Sequence, residues 1–419
     1  MSRGKDKKIH YAWFLLLACC IMQFGGLGIL MNSISIFIPA VKENLGFTTA
    51  QYSTYIMFQQ FAQAFMLPIS GRIISKARTN ISILLASIGV VLANASLVLL
   101  TEPWQWNIAG AFKGVFGAFL FMTLAPMVLK RWFKKKTGFA VGLASAFSGI
   151  GGAIISPIGI SLIEKRGWQF AMMTLSVIAA ISLIPTVLFI LKLRPEYVGL
   201  KPYGAEDMEE ETTSNESVEV DNGGFRLDLV FFLVVSISVM LSFVVGLNGH
   251  TLQIATSLGL TTIAASFVVS ATMFGNIFLK LLIGWIGERF SSFIALATIM
   301  IIVVLGLLGY LLVGGNSFVV MLISGFLYGG CMSLNAVGLP VLVGDFYSGS
   351  RYDMVLSYAM MFSMTVIGIC MALFGVFYDR YNTYLPIMIV GIGVYLIMIF
   401  AMGMLYRRKN ISSEQSNLQ

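Results

Sequence analysis

The chain has 419 residues, 58% of them hydrophobic and 11% charged, with a formal net charge of +8. A soluble domain carries about 25% charged residues, so the composition excludes a soluble enzyme and points to an integral membrane protein whose long apolar runs are helices. The positive balance is no nucleic-acid footprint, because the basic residues gather at the ends of the apolar runs, where membrane topology accounts for them.

Twelve spans are predicted, near residues 12–38, 52–73, 80–100, 104–129, 137–163, 168–191, 227–249, 262–287, 292–313, 317–343, 353–377 and 384–406. The first run has no small-residue cleavage site behind it and is longer than a signal-peptide core, so it reads as a retained helix. Of 27 lysines and arginines, only Lys42, Lys165, Arg166 and Arg380 fall on the side opposite the termini, and only Lys113 and Lys280 fall inside spans. The positive-inside rule places both termini of this multi-pass chain in the cytoplasm.

The longest connection, 192–226, has an acidic middle almost free of apolar residues and is expected to be a disordered cytoplasmic linker. It divides the chain into a six-helix bundle over 1–191 and another over 227–406, followed by a cytoplasmic tail over 407–419. The bundles look like diverged repeats. Gly71-Arg72 ends span two as Gly284-Trp285 ends span eight, and Pro126 closes span four as Pro340 closes span ten, at nearly equal spacing. The expected fold class is therefore all-α, with twelve transmembrane helices in two pseudo-symmetric bundles. This arrangement resembles the major-facilitator transporters, whose substrate site lies between the halves near the midplane.

Lys280 sits well inside span eight. A cation near the centre of a spanning helix costs about 3 kcal/mol on insertion scales. It survives by snorkelling to the surface or by facing a cavity, a counter-ion or a substrate. Apart from Lys113 and Lys280 the spans hold no charge away from their ends, since Asp228, Glu288, Asp353 and Asp379 all lie at boundaries. Interior cations without interior carboxylates favour an anionic solute over an organic cation. Lys113, in a run of small residues, either contacts substrate or ties span four to backbone carbonyls.

Uncharged polar candidates are Asn32 in span one, Gln59, Gln60 and Gln63 in span two, Asn248 in span seven, Asn276 in span eight, and Tyr328 and Asn335 in span ten. Amides between helices usually make interhelical hydrogen bonds. Asn276 and Lys280, four residues apart, share one helical face. His250 ends span seven and is either solvated at the interface or a guard of the outer mouth. Cys19, Cys20, Cys331 and Cys370 lie in apolar runs with neither disulfide nor metal-ligand spacing. The glycine run of span five lacks the lysine and the strand–helix context of a phosphate loop. No nucleotide motif, metal cluster or nucleophile triad is evident, and no cofactor is expected.

Arg131-Trp132-Phe133, Gly138 to Gly142, Gly149 to Gly152 and Pro157 resemble the signature between helices four and five of the monocarboxylate transporters and their bacterial relatives, the oxalate:formate antiporter group. His10 to Trp13 is similar to the aromatic entry to their first helix, and Arg194 to Gly204 to the segment after helix six of the bacterial members. That family carries an arginine in helix eight four residues before a glycine that matches Gly284, so the resemblance implies that Lys280 binds the substrate carboxylate. Where proton-coupled members have an aspartate in helix eight and a lysine in helix one, this chain has Asn276 and Asn32. The helix-eleven cation of the oxalate:formate antiporter also has no counterpart here, which argues against dicarboxylate exchange by that design.

The expected function is alternating-access transport of a small organic anion, monocarboxylate-like, across the lipid bilayer, with a counter-transported anion or a proton as coupling partner. Expected substrate contacts are Lys280, Asn276, Asn32, Lys113, Gln63, Tyr328, Asn335 and His250. The alternatives are an exporter of hydrophobic drug-like compounds, suited by the high Met and Phe content, and a non-transporting membrane sensor.

Overall fold

The computed structural model describes residues 10–76, 80–122, 124–204, 229–313, 317–347 and 349–416. Among these, eleven helices are long and apolar enough to cross a membrane. They are α1 (Tyr11–Leu45), α3 (Ile81–Leu99), α4 (Pro103–Trp132), α5 (Thr137–Arg166), α6 (Trp168–Ile190), α7 (Leu229–Ser257), α8 (Thr262–Arg289), α9 (Ser292–Leu312), α10 (Phe318–Phe346), α11 (Met354–Tyr381) and α12 (Leu385–Met404). The twelfth is α2 (Thr49–Lys76), as long as α8 but carrying Gln51, Gln59, Gln60 and Gln63 on its turns. No strand occurs among the described residues, and each exposed stripe is apolar, as on α8, where Phe274, Phe278, Leu281 and Trp285 recur every three or four residues.

Four of the described spans carry an interruption with helix on both sides, and they stand three apart, whereas α6 ends in a π turn at Thr186–Ile190. α1 passes through a π turn at Phe24–Ile29 and a 3₁₀ turn at Ile34–Phe37. α4 stops at Leu120 and resumes at Leu124. α7 narrows to a 3₁₀ turn at Leu247–His250, and α10 breaks at Gly329 and again in a π turn at Leu334–Gly338. The repeat of the break in every third span shows a three-helix unit within each half. Breaks at membrane depth are tolerated where side chains re-satisfy the backbone. In α1 the Leu30 carbonyl accepts from Lys113 Nζ at 2.8 Å, while Asn32 Nδ2 reaches the Ser148 carbonyl of α5 at 3.0 Å.

The acidic middle of the predicted linker lies outside the described residues. Its first part, 192–204, is docked: Tyr203 N–H donates to the Trp132 carbonyl at 2.8 Å, and Trp132 Nε1 donates to the Lys192 carbonyl at 2.8 Å. The final helix continues past residue 406 to Ser416 with no glycine or proline after Gly403 to stop it. Tyr406 bonds Asp345 there, and burial, together with that neighbouring carboxylate, pushes its phenol up and keeps it a donor.

Contacts between the halves lie toward the face away from the termini. On one side α2 packs α11 from Thr49 and Ala50 against Asp379 to Ala64 and Leu67 against Met364. On the other, α5 meets α8 where Ser270 Oγ donates to the Ala153 carbonyl at 2.6 Å and where a Cβ on Gly149 would lie 2.6 Å from Ile277. Toward the terminal face, a Cβ on Gly71, Gly138, Gly142 or Gly284 would meet nothing within 4 Å. The halves therefore part toward the termini.

Candidate functional site

α8 turns 100° per residue. Its lipid-facing stripe runs through Phe274, Phe278, Leu281 and Trp285. Lys280 lies about 130° round the helix from that stripe, between Asn276, which faces α10, and Met273 and Ile277, which face α5. It is half-buried, and its ammonium has no hydrogen bond or ion pair among the described residues. A helical side chain leans toward its helix N-terminus, so the ammonium is drawn back toward the level of Asn276 rather than out toward Arg289. This geometry opposes snorkelling along the lipid face.

Two carboxamides of the C-terminal half are candidates to act with it, Asn276 one turn earlier on α8 and Asn335 on α10. Ser333 Oγ donates to the Asn276 backbone carbonyl at 2.8 Å and approaches its Oδ1 at 3.4 Å. Two residues further, in the π turn, Asn335 Oδ1 accepts from Ser363 Oγ at 3.1 Å. The Asn335 oxygen is occupied, Asn276 Oδ1 shares the single Ser333 hydroxyl proton with its own backbone carbonyl, and neither NH₂ has a partner among the described residues. Lys280, Asn276 and Asn335 thus carry N–H donors without partners among the described residues, chemistry that suits an oxyanion and not a cation.

Asn32 belongs to the opposite wall. A Cβ on Gly152 would lie 2.8 Å from Asn32 Cβ and 3.1 Å from Met273 Cγ, so a side chain there would separate α1 from α8. Met273 is two turns from Lys280, about 10 Å along the helix. Gln63 and Gln59 on α2 are buried, each with its Oε1 unpaired.

The remaining candidates sit elsewhere. Lys113 is fully buried, held by Leu30 O, by Asn94 Oδ1 at 2.7 Å and by Tyr55 OH at 3.4 Å. It ties α4 to the break in α1 and to α3, which is its structural alternative. Tyr328 donates to the Val244 carbonyl at 2.8 Å and joins α10 to α7. His250 is buried on the far face, Nε2 at 3.0 Å from the Met371 carbonyl and Nδ1 at 3.0 Å from Tyr384 OH. Sequence reasoning missed the polar set around it: Thr49, Gln253, Asp379 and Tyr384. Asp379 was visible as a carboxylate at the end of span eleven, but its partners lie in the other half of the chain.

The model of the Major Facilitator Superfamily matches residues 13–252 and again residues 230–418. The chain belongs to the Major Facilitator Superfamily. Among its relatives, the MFS-type transporter eupM of a Phoma species is 27% identical over 188 residues, 44% of this chain and 66% of its own length. The probable transporter MCH2 of Saccharomyces cerevisiae is 26% identical over 297 residues, 67% of this chain and 58% of its own length. The chain thus spans less than two-thirds of those relatives. In fold it is similar to a crystal structure of a mutant of the nucleoside transporter NupG, with a TM-score of 0.72, 14% identity, and coverage of 93% of this chain and 99% of the other.

Proposed function

We propose that the chain is a carrier of small organic anions, monocarboxylates foremost, that works by alternating access between its two six-helix halves. The observation that carries this reading is Lys280, an unpaired cation on the interior face of α8 where α5 and α8 begin to part. Even a half-buried charge without a partner is costly, and a carboxylate entering from the terminal face would compensate it. Asn276 and Asn335 would add N–H donors, and Asn32 would close the opposite wall. Lysine offers a point charge rather than a bidentate fork, which suits small carboxylates of varied shape. The crowding of basic residues on the termini's side supports a cytoplasmic-membrane protein with both termini inside.

Coupling follows from what the spans lack. A proton symporter needs a titrating group on the substrate path. Within the spans of this chain Asp and Glu occur only near the ends, and Asn276 does not titrate. The proposed mode is anion exchange or facilitated flux. The test is uptake of labelled short-chain carboxylates by proteoliposomes, with and without an anion loaded inside. Faster uptake with a trans anion, and no uptake of organic cations, is expected. Transport of an apolar compound unaltered by Lys280→Ala would replace this reading with that of an exporter of hydrophobic compounds.

A further inference from the structure

We propose that Asp379 is a gating residue: from the C-terminal half it caps the first turn of α2 in the N-terminal half, and so holds the far face closed. The proposal rests on the alternating-access reading above.

A helix leaves its first N–H groups without intrahelical partners. In α2 the half's own residues supply only part of the cap. Thr48 Oγ1 accepts from Gln51 N–H at 3.1 Å, and Gln51 Oε1 accepts from Thr48 N–H at 2.9 Å, a reciprocal capping box. The N–H groups of Thr49 and Ala50 remain. Both donate to Asp379, at 2.9 Å to Oδ1 and 2.7 Å to Oδ2. A carboxylate at a helix N-terminus gains from the dipole and from charge-assisted bonds. Separation of the halves on this face returns both N–H groups and the carboxylate to water.

Two further contacts fix the same spot. A Cβ on Gly375, one turn before Asp379, would lie 2.9 Å from Ala50 Cα and from the Thr49 carbonyl, so the helices touch backbone to backbone. Thr49 Oγ1 accepts from Gln253 Nε2 at 3.4 Å, and Gln253 Oε1 accepts from Tyr384 OH at 2.7 Å, which leads on to His250. Lys42 lies 3.4 Å from Asp379, but this pair is 42% and 20% exposed and screened. The cap, rather than the ion pair, is the latch.

The test uses spin labels at Thr101→Cys and Thr261→Cys, exposed turn residues of opposite halves on the far face, in the full-length protein without substrate; the four native cysteines are buried. Distances are read by pulsed dipolar spectroscopy. The parent is expected to show mainly the short, closed distance. Asp379→Ala should raise the open-to-closed ratio at least tenfold, as loss of two charge-assisted bonds implies even after discounting for the partial exposure of the carboxylate. Asp379→Asn, which keeps one acceptor oxygen at equal volume, should fall between, and Lys42→Ala should change little. Gly375→Phe, a steric wedge, should open the face regardless. If the wedge opens the face while the folded Asp379 variants keep the parent distribution, the cap is not the latch. Lys42→Ala opening as far as Asp379→Ala would assign the latch to the ion pair instead. The absence of a long distance in every variant would overturn the proposal together with alternating access, whereas failure of anion transport alone would leave these distances as expected.

Discussion

Lys113 has its ammonium directed at Leu30 O, Asn94 Oδ1 and Tyr55 OH, while Lys280, the other cation inside the spans, has no partner among the described residues. Their variants should therefore fail differently. Lys113→Met leaves its two close acceptors, the Leu30 carbonyl and Asn94 Oδ1, stranded at about 1–3 kcal/mol each. The thermal midpoint of purified Lys113→Met should drop by several degrees, while the fraction that folds still binds anion. A Lys113→Met protein of parental midpoint that no longer bound anion would reverse the roles. The sequence left Lys113 between these two uses, because the choice depends on Asn94 in another span and on a carbonyl released by a helix break. Neither has a signature in a single sequence. Lys280 was more legible, since a cation deep in an apolar run is conspicuous whatever surrounds it.

At the scale of elements, the spans were readable from apolar length and their interruptions were not. Length and hydropathy are local properties, whereas the breaks in α1 and α4 are met by side chains from neighbouring helices, Lys113 at the Leu30 carbonyl and Gln23 at the Phe121 carbonyl. α2 illustrates the converse: its glutamines depress hydropathy, yet its 28 residues span because Gln59 and Gln63 are buried against neighbours. Close helix approach also sets limits. A Cβ on Gly275 would lie 1.8 Å from the Phe326 carbonyl, and one on Gly329 would lie 2.2 Å from the Thr272 carbonyl, so α8 and α10 pack backbone to backbone beside Asn276. Gly275→Ala must push α10 away and carry Ser333 with it. Overpacking of this kind costs about 1–3 kcal/mol. Gly275→Ala should lower both the thermal midpoint and anion affinity, seen by calorimetry of the detergent-solubilised protein. An unchanged midpoint would show that the two helices slide apart without strain.

For the whole molecule, the division into two halves was visible as paired landmarks, Gly71 with Gly284 and Pro126 with Pro340. The structure adds that the halves meet toward the far face and part toward the termini, a relation between distant segments that repeats in sequence do not encode. A tag inserted near Glu210 should be reachable only from the cytoplasmic side; labelling from outside intact cells would refute the proposed orientation. Coupling is also a property of the whole cycle. An imposed pH gradient alone, with no anion inside, should not drive uphill uptake into proteoliposomes once diffusion of the undissociated acid is subtracted. Robust accumulation would instead demand a titrating group, with His250 the first to replace.

In this reading the charge of Lys280 holds the anion. Its most direct test is the thermal stabilisation of purified protein by short-chain carboxylates, compared among the parent, Lys280→Arg and Lys280→Ala. A ligand at 100 times its dissociation constant adds about 2.7 kcal/mol of apparent stability. The parent should show that shift with at least one monocarboxylate, Lys280→Arg should keep part of it because the charge is retained, and Lys280→Ala should lose it while its unliganded midpoint stays near that of the parent. An undiminished carboxylate-induced shift in Lys280→Ala would contradict the account.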